Sequence, residues 1–131
     1  MAGGEPGLSR EARIRLLRDM IGELEVLRNR IPESVADGTL EEALAEVSHY
    51  VPSATPLVAG VYRSLYTSLA TEAGMLAQLA AAMRVRMLKT GTPYISGVDY
   101  IRRRLDEFLE RLNAYVASLA AEQPGRRLYH L

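Results

Sequence analysis

Glu46 and His49, in the run Glu46-Val47-Ser48-His49, have the spacing that sets a carboxylate and an imidazole one turn apart on a single helix face. Carboxylate-bridged two-metal bundles use that pair, but they need two copies of it and two further glutamates. The chain has only two histidines, His49 and His130, so one copy falls short of the set. Two copies of Glu46, His49 and Glu72 would complete it. The competing reading is a histidine in the last turn of a helix, ahead of Tyr50 and Pro52, where an imidazolium suits the helix dipole. The residues favour this second reading, and no cofactor is expected.

Glu72 is unusual for a different reason. It falls in the three-and-four spacing Tyr62, Leu65, Leu69, Glu72, Leu76, Leu79, Met83, which is otherwise an apolar seam. A carboxylate there needs a partner, because an unpaired buried charge costs several kcal/mol. Arg28 occupies a seam position of an earlier helix, and Arg111 stands level with Glu72 if the turn near Gly91 folds two helices into an antiparallel hairpin. An ion pair of Glu72 with Arg28 or Arg111 is the first expectation.

A third group is basic. Arg84, Arg86 and Lys89 close one helix and Arg102, Arg103 and Arg104 open the next, with Tyr94 and Tyr100 among them. Guanidinium groups beside aromatic rings suit a phosphate backbone or an unstacked base. Against this, Arg102 with Asp106 and Arg103 with Glu107 are spaced as intrahelical pairs. The stretch holding Glu33, Asp37, Glu41, Glu42 and Glu46 is wholly acidic, and an up-down topology carries it to the same end. Internal compensation is the favoured reading.

Nucleophilic catalysis finds no set. Ser48 and His49 do not pair by adjacency, no Gly-x-Ser-x-Gly elbow exists, and cysteine is absent. Gly3, Gly4 and Gly7 follow no strand, so neither phosphate-loop fingerprint applies. Tyr62 with Tyr66, and Met75, Met83 and Met87, read as packing residues.

The elements that position these residues are helices, since the apolar spacing is helical throughout and never alternates for long. The expected fold is an all-α up-and-down bundle of three long helices and one short one, forming a single domain over residues 1–131. Residues 1–8 and 123–131 are read as flexible or peripheral tails. Ser9 caps a first helix that runs to Pro32 with the seam Ile14, Leu17, Ile21, Leu24. Thr39 with Glu42 reads as a capping box opening a short helix that carries Leu40, Ala43, Leu44 and Val47 and closes at Pro52. A long central third helix runs from Pro56 to Lys89, about 50 Å, and stops at Gly91 and Pro93. Ser96 with Asp99 reads as a second capping signature, opening a helix seamed by Val98, Ile101, Leu105, Phe108, Leu112, Val116 and Leu119.

The far side of the third helix, Gly60, Ser64, Thr67, Thr71, Gly74, Gln78 and Ala81, is almost free of charge. Small residues permit close helix approach, so the third helix is expected to be packed on both sides, by the first two helices of its own chain or, the favoured reading, by a second subunit in a homodimer.

Composition sets the outer limits. The chain is 131 residues long, 48% hydrophobic and 24% charged, which fits a folded domain and excludes disorder and collagen. Sixteen basic residues balance sixteen acidic ones, so no surface-wide affinity for nucleic acid or anionic lipid is expected. All the basic residues except Lys89 are arginine, which suits a GC-rich source and is compatible with a thermophilic one. Residues 56–83 are long enough to span a bilayer, but Arg63, Glu72 and Gln78 argue against it. The N-terminus does not resemble a secretory leader, and a cytoplasmic location follows as the expectation. The sequence therefore reads as a non-enzymatic helical scaffold or protein-interaction module that self-associates. The alternatives are a nucleic-acid-associated protein using the basic tip and a metal-binding helical bundle.

Overall fold

A computed structural model describes residues 9–51, 69–92 and 95–121, and five helices account for most of them. They are α1 (Arg10–Arg28), α2 (Glu33–Ala36), α3 (Thr39–Tyr50), α4 (Leu69–Thr90) and α5 (Ile95–Ala121). The all-α bundle expected from the sequence is present, with no strand among the described residues. No described helix is long and apolar enough to cross a membrane.

The start of α1 follows the sequence rule. Ser9 is its N-cap, and its hydroxyl accepts a hydrogen bond from the Ala12 N–H at 3.1 Å. Its end does not. The helix stops at Arg28, with Asn29 as C-cap, four residues short of Pro32. Pro32 instead precedes the short α2, at whose N-cap its fixed φ is accommodated. The connection satisfies its own polar groups. Buried Ser34 donates to the Leu27 carbonyl at 2.8 Å, and the Thr39 hydroxyl lies 3.3 Å from the Ser34 carbonyl.

Two further capping expectations are corrected. Gly38, at φ +83°, is the N-cap of α3, and Thr39 is the first helical residue. The Asp37 carboxylate receives both the Thr39 N–H (3.0 Å) and the Thr39 hydroxyl (2.6 Å), replacing the expected Thr39–Glu42 box. In α5, Ser96 lies inside the first turn because the helix starts at Ile95, and Asp99 accepts from Arg102 at 3.1 Å. The stop at Gly91 holds: φ is +77°, and its N–H donates to the Met87 carbonyl at 2.8 Å.

Packing follows a ring in which α1 touches α3 and α5, while α4 touches α3 and α5. Contacts fix the directions. Arg10 reaches the Leu119 carbonyl, Arg28 reaches Asp106, and Arg102 reaches the Ile31 carbonyl, so α1 and α5 run antiparallel. Glu72 meets Arg111, and Met83 and Arg86 line a groove with Gly97 and Tyr100, so α4 and α5 are antiparallel too. Among the described elements α1 and α4 therefore run parallel on the diagonal, and α4 forms one wall of the bundle.

Every apolar seam residue expected on α1, α3 and α5 is buried, while Arg28, at a seam position of α1, is half-exposed. On α4 the seam is rotated. Leu69, Ala73, Leu76, Ala77, Ala80, Met83 and Met87 point inward, Leu79 is half-buried, and Glu72 sits at the edge. Alanines supply the reason: with no bulk to fix a ridge, α4 turns its Ala73, Ala77 and Ala80 side to the core. Its most extensive interface is with α3.

Candidate functional site

The side of the bundle formed by α4 and α5 gathers the residues with unexplained chemistry. Glu72 is one of them. Its side chain is 11% exposed and is held by Arg111 through a hydrogen bond and by Arg104 at 3.8 Å. Of the two expected partners, Arg111 meets Glu72 and Arg28 does not. Arg28 is instead bidentate to Asp106, with Nε–Oδ1 at 2.7 Å and Nη2–Oδ2 at 2.8 Å, because α1 faces α5 and lies diagonal to α4.

That pairing also removes an expected one. With Asp106 committed to Arg28, Arg102 turns to Asp99 and the Ile31 carbonyl. The Arg28 hydrogen bonds hold the Asp106 carboxyl below its ordinary range, against the opposing effect of partial burial. They also raise the Arg28 guanidinium. Asp37 is lowered chiefly by the Thr39 hydroxyl. A carboxylate with a depressed folded pKa contributes stability above its unfolded value, about 3.9, and that stability is lost as pH falls through the lower folded value. The midpoint of urea unfolding is therefore expected to drop as pH is lowered from about 5 to about 2, and Asp106→Asn should flatten that drop. An identical pH dependence in the variant would remove Asp106 from the account. Both side chains are substantially solvent-exposed, so the effect is modest.

The six basic residues of the tip do not form one patch. Arg84 turns towards α3, where its Nε lies 3.1 Å from Glu41 and beside Gly38. Arg102 turns towards the α1–α2 connection. The expected compensation by the acidic stretch is thus realised at Glu41. Arg86 lines the groove between α4 and α5, Arg104 turns to Glu72, and Lys89 and Arg103 are exposed. Arg103 and Arg104 lie over the Tyr100 ring at 5.7 and 5.9 Å from its centroid, within cation–π range. Tyr94 lies outside the described residues.

No three His, Cys, Asp or Glu side chains gather among the described residues, and Glu72 is occupied by arginines, so Glu46, His49 and Glu72 do not converge. His49 is exposed in the last turn of α3.

What sequence reading missed is an exposed apolar surface. Met75, read as a packing residue, is 60% exposed, while Met83 and Met87 are buried. Leu88 and Ile95 are 67% and 73% exposed, and Val85 and Tyr100 join them. Between α4 and α5 a groove of about 410 Å³ is lined by Leu79, Ala82, Met83, Arg86, Gly97 and Tyr100, with Ser96 at its edge. The uncharged stripe was the available signal. Its described members fall on the outer side of α4, Thr71 and Gln78 exposed and Gly74 and Ala81 half-buried, while Gly60, Ser64 and Thr67 lie outside the described residues. A Cβ built on Gly74 meets nothing within 4 Å, so none of the described elements packs there. No protein-family model, curated protein or solved structure matches the chain.

Proposed function

We propose that this chain is a non-enzymatic helical interaction module that self-associates through the outer side of α4. The observation that carries the reading is the run of uncharged positions Thr71, Gly74, Met75, Gln78, Ala82 and Val85 along that side. An exposed helix face normally carries charge, as the Glu11, Arg15, Arg18 and Glu25 side of α1 does. Here it carries Met75 and Val85 in solvent-exposed positions, an apolar surface of the kind that marks association sites. Small Gly74 and Ala82 allow a second helix to approach closely.

The absence of cysteine makes the surface simple to map. A single cysteine placed at exposed Gln78 should give a cross-linked dimer on mild oxidation, whereas one at exposed Glu23 on α1 should not. Equal cross-linking at the two sites, or none at Gln78, would contradict the proposal.

A further inference from the structure

We propose that the groove between α4 and α5 receives a bulky apolar side chain from an acidic helical segment of a partner protein. This deepens the interaction reading above and names the chemistry of a second surface, beside the proposed self-association side. The groove floor is apolar, built from Leu79, Ala82, Met83 and Gly97, with the half-exposed Tyr100 ring as one wall. Its volume, about 410 Å³, lies within the range of sites that enclose a small apolar group. The walls are two antiparallel helices, and a third helix fits along such a groove.

Charge selects the partner. Among the described residues the lining holds one basic side chain, Arg86, and no carboxylate; Arg86 is already engaged, so the selecting charges are those of exposed Lys89 and Arg103. Arg103 and Arg104 stand over Tyr100, and Lys89 is exposed one turn beyond Arg86. The nearby carboxylates are turned elsewhere or lie lower. Asp99 accepts from Arg102, Glu72 is held by Arg104 and Arg111, and Glu107 lines the next depression, with Thr71 and Met75. An apolar floor under a cationic rim complements leucine flanked by glutamate. A nucleic acid would need cations aligned along a track, and Arg84 and Arg102 face away from this side.

The test is fluorescence polarisation with the full chain and three labelled probes: a short helical peptide of leucine and glutamate, its counterpart with lysine for glutamate, and a single-stranded oligonucleotide. The acidic peptide is expected to bind, at least about tenfold more tightly than the lysine peptide. Tyr100→Ala, at an exposed position on α5, should weaken it about tenfold, and Lys89→Gln with Arg103→Gln should flatten its salt dependence. Ser96→Glu, exposed in the groove lining and also on α5, serves as the second variant if circular dichroism shows loss of helix in the first. Equal binding of both peptides, preference for the oligonucleotide, or an unchanged affinity in these variants would overturn the proposal. Cross-linking through Gln78 is read separately, so failure of the groove and failure of self-association are distinct results.

Discussion

Replacing Phe108 by alanine lowers the unfolding free energy by about 3–5 kcal/mol, the range for truncating a fully buried aromatic. Phe108 is the only phenylalanine in the chain and has no exposed surface. It sits in the middle of α5, which packs against both α1 and α4, and its truncation leaves a cavity inside the buried cluster. A domain's whole stability is about 5–15 kcal/mol, so this one change removes a large share of it. Urea unfolding should show a lower midpoint with an unchanged slope. Ile95→Ala, at an exposed position on the same helix, should move stability by less than about 0.5 kcal/mol. A Phe108→Ala loss below about 1 kcal/mol would mean that the core does not close around α5 as described.

Glu72→Ala is expected to cost about 1–3 kcal/mol, less than the 3–5 expected of a fully buried pair. The carboxylate is nearly enclosed, but its partners Arg104 and Arg111 are 38% and 46% exposed, and water screens them. Removing the carboxylate leaves two guanidinium groups facing each other across an emptied edge. A double-mutant cycle with Arg111→Ala isolates the pair, because the loss in Glu72→Ala should shrink once Arg111 is gone. Strict additivity would show that the pair contributes nothing to stability.

The helices whose apolar residues are large and regularly spaced were legible in the sequence. Ile14, Leu17, Ile21 and Leu24 on α1, and Val98 through Leu119 on α5, are buried as their spacing requires. The helix rich in alanine was not, because alanine suits core and surface alike and leaves the inward direction to its neighbours. Hence Ala73, Ala77 and Ala80 face the core and Glu72 is displaced to the rim. The ends of helices were legible only where a single residue decides them, as Ser9 and Gly91 do. At Pro32 and Thr39 the competing groups Asn29 and Asp37 took over the termini. For the candidate site, hairpin register brought Arg111 level with Glu72 but left Arg28 as an equal alternative. The partner of Arg28 was not legible, because it depends on which helices share a wall of the ring.

Self-association through α4 is tested most directly by sedimentation velocity of the full chain across the micromolar range. The expected result is a dimer that dissociates on dilution and that becomes a monomer of unchanged helicity when Met75 and Val85, both exposed in the single chain, are replaced by glutamate. A wild-type chain that sediments as a monomer at every concentration, or a dimer indifferent to Met75→Glu and Val85→Glu, would contradict it.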